Sequence, residues 1–484
     1  MGALVLAQPE DLALRAQRGK ELMAAGRFAE AAVVYNELVT ALPGNPGLLL
    51  NLGMAYQMAG EVRQAIPQFQ AALKLQPDLL PASLFLGASH MKAGQPALAV
   101  APLRRVVGAQ PAHKEARQML ADALLALERF DQAVDHFVRL SSLDPDNPRA
   151  WYGLGHCHEA MAGDAFGKLE KLAPESAYGL VLVAASRARQ RQHRGAFYLY
   201  RRALAVQPGL RGVHAALAEI YRATGHAEWA ALEERSEGSL PPPDCKTRKM
   251  ECDYLAGRHR QVFTAARLGK TPESYYWLAR ASNELALAAY SRLAQLPPSV
   301  EIHQLMAELH RVQGRHLDSA NEWRAALTLA PADPRLEQEL AVSLHLSRDH
   351  EAVRSLVEKL LRAQPDSAAL NFLLGDTLLA LQQVEQALPW LEKAVRADST
   401  QLEARAALGR ALMQLGRDSQ AIPHLKAALD VDQDGSLHFQ LGRAYQAAGQ
   451  AQAARSMLAR SQEIRSSALS QRKALEDQAQ ITPP

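Results

Sequence analysis

The sequence predicts an all-α solenoid of about fourteen helix pairs, and three periodic features carry this prediction. Small residues recur every 34 positions, at Gly19, Gly53, Gly87, Ala121 and Gly155. Prolines keep the same spacing, at Pro43, Pro77, Pro111 and Pro145. Alanines do so too, at Ala31, Ala65, Ala99 and Ala133. Because three residue types share one period in a fixed phase, the chain consists of repeated supersecondary units rather than a few globular domains.

Composition narrows the class of protein further. Of 484 residues, 48% are hydrophobic and 22% charged, which excludes disorder over most of the chain. The 54 basic and 51 acidic residues nearly cancel, so the sequence predicts no nucleic-acid partner. Three cysteines are too few for a disulfide scaffold. Since no apolar run approaches the ~18 residues of a membrane-spanning helix, no membrane span is expected.

The first residues leave two interpretations of localisation open. Residues 1–8 read MGALVLAQ, with a short apolar run and no basic segment before it. A complete secretory signal needs both features, so the protein is predicted to be cytoplasmic. However, Val5, Leu6 and Ala7 end like a cleavage site. If residues 1–7 are the end of a signal peptide, the protein is instead exported, to the periplasm or out of the cell.

Each 34-residue unit is predicted to be a helical hairpin. In residues 46–79, one helix face carries Leu49, Leu52, Gly53 and Tyr56 at helical spacing. Gly60 then provides a turn, and Pro77 ends a second helix that carries Ala65 and Phe69. Gly53 and Ala65 are small because larger side chains would overpack the crossing of the two helices.

This pattern resembles the tetratricopeptide repeat. The residues that carry the resemblance are Leu49, Leu52, Gly53, Tyr56, Ala65, Phe69 and Pro77, then Trp151, Leu154 and Gly155, and finally Leu441, Gly442 and Tyr445. The resemblance implies a right-handed superhelix with a concave binding face. Eleven clear repeats begin near residues 12, 46, 80, 114, 177, 211, 300, 334, 368, 402 and 435. Degenerate units begin near residues 148, 243 and 272.

The register of the repeats divides the chain into five segments. A leader (1–11) precedes an N-terminal array (12–237) whose unit near 148–176 is degenerate. A proline hinge and degenerate units follow (238–299), and within them residues 272–296 are expected to form a fused or tightly turned pair. A C-terminal array (300–465) leads into a capping helix and tail (466–484).

The family resemblance also implies where partners bind. Positions that face the concave surface in this family carry aromatic and arginine residues here, and both types are frequent in binding hot spots. The candidate peptide-binding residues are Tyr152, His156, Tyr178, Arg189, Arg222, Tyr254, Tyr276, Arg280 and Arg311. The alternative interpretation is a solvated inner face without a strong ligand.

One segment is conspicuously basic. Residues 176–218 contain no Asp or Glu but seven arginines, namely Arg187, Arg189, Arg191, Arg194, Arg201, Arg202 and Arg211. Because arginine pairs well with carboxylates, we expect this segment to anchor acidic peptides. The alternative is that Arg201 and Arg202 simply coat an outer helix face.

Clusters of metal-ligand residue types are interpreted as core. Residues at i and i+2 of a helix point to different faces, so His156, His158 and Cys157 cannot converge on a metal. Cys157 and His158 are predicted to be core residues. On a continuous helix, Cys245 and Cys252 would lie about 10 Å apart along the axis, too far for a disulfide. They too are predicted to be core residues.

No catalytic or phosphate-binding motif is present, so the sequence predicts neither an enzyme nor a cofactor. The predicted function is a non-catalytic scaffold that binds extended peptides or partner helices along the concave groove. Alternatives are a structural or assembly factor of the bacterial cell envelope and a regulatory arm for a separate enzyme. Some family members hold chaperone C-termini in a basic clamp, but the matching residues here, Leu50, Met54 and Leu84, are apolar. The partner, the pathway and the oligomeric state stay open.

Overall fold

The computed structural model describes residues 9–331, 333–478 and 480–484, and these contain twenty-six α-helices and no strand. The first nine helices are α1 (Pro9–Ala24), α2 (Phe28–Ala41), α3 (Pro46–Met58), α4 (Val62–Leu75), α5 (Leu80–Lys92), α6 (Pro96–Ala109), α7 (Lys114–Ala126), α8 (Phe130–Leu143) and α9 (Pro148–Leu172). The middle helices are α10 (Ala177–Arg189), α11 (His193–Val206), α12 (Val213–Ala223), α13 (Ala227–Ser239), α14 (Lys249–Leu255), α15 (His259–Ala266) and α16 (Pro272–Leu293). The last ten are α17 (Val300–Val312), α18 (His316–Leu329), α19 (Pro334–Leu346), α20 (His350–Ala363), α21 (Ala368–Ala380), α22 (Val384–Ala397), α23 (Leu402–Gln414), α24 (Asp418–Ala427), α25 (Ser436–Ala447) and α26 (Ala451–Gln478).

The predicted all-α fold of stacked helical hairpins is confirmed. Each of the eleven clear repeats begins within three residues of a helix start, and consecutive helices pack as antiparallel pairs. Local sequence explains the starts. Before α3, for example, the Asn45 side chain accepts hydrogen bonds from the Gly47 and Leu48 amides at 3.0 and 3.1 Å. Pro46 follows at the first helical position, where its missing amide hydrogen costs nothing.

The small residue of each repeat marks the closest approach of its two helices. A Cβ atom built on Gly53 would lie 2.6 Å from the Phe69 ring, and one on Gly87 would lie 2.5 Å from Leu103. The same holds at Gly375, 2.6 Å from Leu391. These distances are far below van der Waals contact, so the predicted reason for the small residue is confirmed.

Contacts divide the chain into two compact units. Unit 1 comprises residues 1–173 and 243–296, and unit 2 comprises residues 174–242 and 297–484. Unit 1 contains four consecutive hairpins (α1–α8), followed by α9 and by α14–α16. Unit 2 contains the hairpins of α10–α13 and those of α17–α26. The five segments that the repeat register predicts stay a prediction.

In unit 1, α9 pairs with α16, a helix that follows more than 100 residues later. The Tyr290 hydroxyl donates a hydrogen bond to Glu159 at 3.0 Å, and Arg292 forms an ion pair with Asp146 at 3.1 Å. A Cβ on Gly155 would lie 2.3 Å from the Tyr290 ring. In other repeats, a side chain from the second helix of the same repeat packs against the small residue. Here, Tyr290 of α16 packs against Gly155 instead.

Two expectations for the degenerate units are corrected by this pairing. Residues 272–293 form one unbroken helix, not a fused or turned pair, because no glycine turn interrupts them. Residues 163–172 continue α9 as helix, so the degenerate unit near 148–176 has no second helix of its own. The units predicted near 148 and 272 are the two halves of one pair, which gives thirteen pairs in the part of the chain described.

The prediction for Cys245 and Cys252 is wrong. Their sulfur atoms form a disulfide, with the Cα atoms 5.7 Å apart. The 10 Å estimate assumed one helix, but α14 begins only at Lys249, and Cys245 lies in the turn before it. Cys245 is exposed and Cys252 half-buried, so neither is a core residue. The third cysteine, Cys157, is buried, as predicted.

We predict that two glycines of α9 respond in opposite directions to the same change. Gly155→Ala should lower the free energy of unfolding by about 1–3 kcal/mol, because the new methyl group overlaps the Tyr290 ring. Gly163→Ala should raise it by about 0.5–1 kcal/mol, since Gly163 is helical, exposed and has no neighbour within 4 Å. Denaturant unfolding of both variants measures the difference. Equal effects would contradict the α9–α16 contact.

We further predict the number of thiols that react under three conditions. Burial raises the pKa of the Cys157 thiol to about 12, so native protein prepared without reductant should show no reactive thiol. Denaturation without reductant should expose one thiol, and denaturation with reductant should expose three. Cys245→Ser provides the control, with two thiols after denaturation alone. Three thiols in unreduced, denatured wild type would contradict the disulfide.

Candidate protein-interaction site

Helices α10, α11 and α12 of unit 2 enclose an open groove of about 450 Å³ that contains the candidate residue Arg189. The lining residues are Ala185, Ala188, Arg189, His193, Tyr200, Ala216, Glu219, Ile220 and Ala223. Four of these nine residues are alanines, and their short side chains leave the space open. Ionisable side chains stand on opposite helices, with Arg189 and His193 near the α10–α11 turn and Glu219 on α12.

The turn between α10 and α11 presents four arginines, and we call residues 187–194 the basic turn. Ser176 caps the start of α10 by accepting a hydrogen bond from the Gly179 amide at 3.2 Å. Helix α10 ends at Arg189, and Arg191 adopts a left-handed conformation with φ of 59°. This short turn brings Arg187, Arg189, Arg191 and Arg194 together at one end of the hairpin.

The seven arginines of residues 176–218 fall into two groups. Arg201, Arg202 and Arg211 form ion pairs with Glu233, Glu175 and Glu237 at 3.9, 3.3 and 4.0 Å. Within the described residues, the side chains of the four basic-turn arginines have no ion pair or hydrogen bond. Arg201 and Arg202 are therefore neutralised within the chain, and the anchor for acidic peptides stays a prediction that concerns the basic turn.

The position of the basic turn has a structural benefit as well. Arg187 and Arg189 lie in the last turn of α10, where the helix dipole favours positive charge. That interaction stabilises the helix but satisfies none of the guanidinium hydrogen-bond donors. Arg189, Arg191 and Arg194 are exposed, so their donors point to solvent and can pair with a ligand carboxylate.

Three other candidates, Tyr254, Tyr276 and Arg280, come together in unit 1. The Arg280 guanidinium lies 4.3 Å from the Tyr254 ring centre and donates to the Tyr276 hydroxyl at 2.9 Å. Trp277 packs beside both tyrosines. Tyr276 is 0% exposed, so it lies in the core and not on an open binding face. Helix α16 packs against α9 and α15, and these helices cover the face that carries Tyr276.

The remaining candidates of unit 1 lie on α9. Tyr152 is only 8% exposed and stacks on His156, with ring centres 6.2 Å apart. His156 is half-buried and also contacts the Phe130 ring edge-on. These residues form one aromatic group, in which Tyr152 is buried and both His156 and Phe130 are half-buried.

The remaining candidates of unit 2 are Tyr178, Arg222 and Arg311. Tyr178 is half-buried near the start of α10. Arg222 is exposed and forms an ion pair with Glu234. Arg311 forms an ion pair with Glu339 at 3.8 Å. The charges of Arg222 and Arg311 are therefore already compensated, unlike that of Arg189.

Within the His156–Glu159 segment, His158 lies in the core. His158 is 3% exposed and contacts the Phe263 ring edge-on at 4.8 Å, as its predicted core position requires. No cluster of three possible metal ligands occurs among the described residues. None of the described helices is both long and apolar enough to cross a bilayer.

Two family models, both described as tetratricopeptide repeat, match this chain. One matches residues 22–84, 90–157 and 378–438, and the other matches residues 274–406. Together they cover more than half of the sequence. The chain belongs to the tetratricopeptide repeat family.

The individual relatives say little about this chain beyond its family membership. The Hsp70-Hsp90 organizing protein of Triticum aestivum is 28% identical over 106 residues, which are 22% of this chain and only 18% of that protein. Among solved structures, a MamA protein is 19% identical, with a TM-score of 0.31, covering 42% of this chain and 94% of its own. YrrB, titled a TPR protein with an unusual peptide-binding site, is 19% identical, with a TM-score of 0.28, covering 39% and 83%.

We predict that the buried His158 makes this tetratricopeptide repeat protein less stable in acid. Burial lowers the pKa of His158 to about 4, below the usual value of about 6.5 in an unfolded chain. Between these values the unfolded state binds the proton more tightly, so stability falls as pH falls. The loss should reach about 3 kcal/mol between pH 7 and pH 4.

The matched variant His158→Phe keeps a ring against Phe263 but cannot be protonated. Urea unfolding of wild type and variant at several pH values measures the effect. Subtracting the two free energies of unfolding cancels the contribution of the other titrating groups. Parallel stability curves for the two proteins would show that His158 is not the group responsible.

Proposed function

We propose that this tetratricopeptide repeat protein is a non-catalytic scaffold whose α10–α12 groove binds an extended acidic segment of a partner protein. The observation that carries the proposal is the set of four basic-turn arginines without an ion pair in the described residues, beside an alanine-lined groove. Family membership supports protein binding in general. The groove and the basic turn supply the reason for choosing an acidic partner.

The geometry suits an extended peptide more than a compact ligand. The groove is partly open to solvent and is lined by α10, α11 and α12, so main chain can enter without a rearrangement of the helices. Its alanine floor would contact small or apolar side chains, while Arg189 at the rim would orient a carboxylate. Glu219 on the opposite side would repel a second carboxylate and so favour one direction of the bound chain.

A role in chaperone assembly is not carried over from the wheat relative. Its name describes an organiser of Hsp70 and Hsp90, but the match covers only 18% of its length. The positions that correspond to the basic clamp are Leu50, Met54 and Leu84 here, and their side chains cannot bind a carboxylate.

The second candidate function is a structural or assembly role in the bacterial cell envelope after export. The disulfide between Cys245 and Cys252 favours it, because disulfides persist in oxidising compartments and are rare in the cytosol. The possible cleavage site lies in residues 1–7, outside the described residues. N-terminal sequencing of protein from the native host distinguishes the two localisations, since an intact Met1 in the cytosolic fraction would contradict export.

We predict that charge reversal at Arg189 abolishes most of the affinity for an acidic peptide. The probe is a fluorescein-labelled twelve-residue peptide of alternating Glu and Ala, titrated by fluorescence anisotropy. Arg189→Glu should weaken saturable binding at least about tenfold, because it replaces a charge-assisted hydrogen bond by repulsion. Raising the salt concentration should also weaken binding.

Arg443→Glu is the matched control. Arg443 on α25 is exposed and, within the described residues, has no ion pair, so this variant has the same net charge as Arg189→Glu. Its affinity should stay close to wild type. Equal loss in both variants would mean that net charge, not the groove, determines binding. Absence of saturable binding to wild type would contradict the proposal itself.

A further inference from the structure

A second feature of α10–α13 lies on a different face and involves the end of the described chain. The hydroxyl of Tyr221 on α12 donates a hydrogen bond to the backbone oxygen of Thr482 at 2.5 Å, 261 residues further along. Helix α26, which precedes Thr482, packs against α11 within the same unit. Residues 480–484 read Gln-Ile-Thr-Pro-Pro, and Ile481 is half-buried. We call these five residues the tail.

Tyr221 belongs to a cluster of aromatic side chains. Its ring lies 5.6 Å from Phe197 of α11 and 5.6 Å from Trp229 of α13, both edge-on. His226 stacks on Trp229 at 4.1 Å. We call Phe197, Tyr221, His226 and Trp229 the aromatic cluster. Tyr221 is completely buried, and a buried tyrosine hydroxyl requires a hydrogen-bond partner, which the tail provides.

The chemistry of the tail matches that of the cluster. A residue that precedes proline is restricted to extended conformations, so Thr482 before Pro483 is held in one. Extended proline-rich segments form no internal hydrogen bonds, which leaves their carbonyl oxygens available to outside donors. Grooves lined with aromatic residues recognise such segments in several unrelated domains. Here the recorded contact is the hydrogen bond from the Tyr221 hydroxyl to the Thr482 oxygen, while Pro483 and Pro484 are exposed.

We propose that the aromatic cluster is a binding site for a proline-containing extended segment, and that the tail of the same chain occupies it. The tail is therefore an intramolecular ligand that keeps the site closed until it leaves. The inference is independent of the proposed function, because the tail has no acidic side chain and the Arg189 groove lies on other residues of α12.

The experiment compares the full chain with a truncated chain that lacks residues 480–484. The probe is a fluorescein-labelled, amidated peptide with the sequence of residues 478–484 (Gln-Ala-Gln-Ile-Thr-Pro-Pro). It should bind saturably to the truncated chain and at least about tenfold more weakly to the full chain, because a tethered tail competes at roughly millimolar effective concentration. No binding to the truncated chain, or equal affinity for both chains, would overturn the proposal.

Two substitutions in the truncated chain test the contact. Tyr221→Phe should weaken the peptide about fivefold, since it removes one hydrogen bond to the Thr482 backbone oxygen. Tyr198→Phe makes the same chemical change on α11 at a half-buried residue and should leave affinity unchanged. Arg189→Glu should also leave it unchanged, which separates this site from the groove. Equal affinities of the two tyrosine variants would contradict the assigned contact.

Hydrogen exchange tests the tail without a peptide. Backbone amides of α12 and α13 should exchange faster in the truncated chain than in the full chain, because the tail covers Tyr221. Amides of α3 and α4 in unit 1 serve as the internal reference and should not change. Unchanged exchange in α12 and α13 would show that the tail does not occupy the site in solution.

Discussion

The close contact between a small residue of one helix and a large side chain of the next is the constraint on which the rest of the structure depends. The two residues are sixteen positions apart, as in Gly53 with Phe69 and Gly87 with Leu103. Each pair leaves no room for a Cβ atom on the glycine, so it fixes the distance between the two helices of its hairpin. Successive hairpins share this geometry, so each presents the same apolar face to its neighbour. The same interface can therefore form between each hairpin and the next.

The same constraint explains why residues 243–296 return to pack on α9. The residue sixteen positions after Gly155 is Lys171, whose charged end cannot fill the space above a buried glycine. Without a local apolar partner, α9 continues as helix to Leu172 and its glycine face must be covered from elsewhere. Tyr290 of α16 covers it, 135 residues later, and Arg292 of the same helix forms an exposed ion pair with Asp146 just before α9. At this repeat, therefore, a polar residue stands at the local position and a long-range contact takes its place.

The hairpins could be predicted from the sequence because the contacts that stabilise each one lie within a single 34-residue period, where a repeating pattern is visible. The α9–α16 pair could not be predicted, because no spacing rule relates Gly155 to Tyr290. The one indication in the sequence was Lys171, which stands where other repeats carry the apolar residue that packs on the glycine. The disulfide was missed for a related reason: the distance between Cys245 and Cys252 depends on where α14 begins, and helix ends are poorly defined by periodicity. At the candidate site, the arginine-rich composition was visible, but which arginines are paired depends on glutamates of neighbouring helices, such as Glu233 and Glu237.

Helix α12 carries residues of both proposed sites. Ala216, Glu219, Ile220 and Ala223 follow helical spacing and face the groove beside the basic turn. Tyr221 is the next residue after Ile220, so its side chain points about 100° away around the axis, into the aromatic cluster and toward the tail. The two proposed sites therefore lie on the same helix but use different side chains of it. Coupling between the sites would require α12 to move, and its packing against both α11 and α13 opposes such movement.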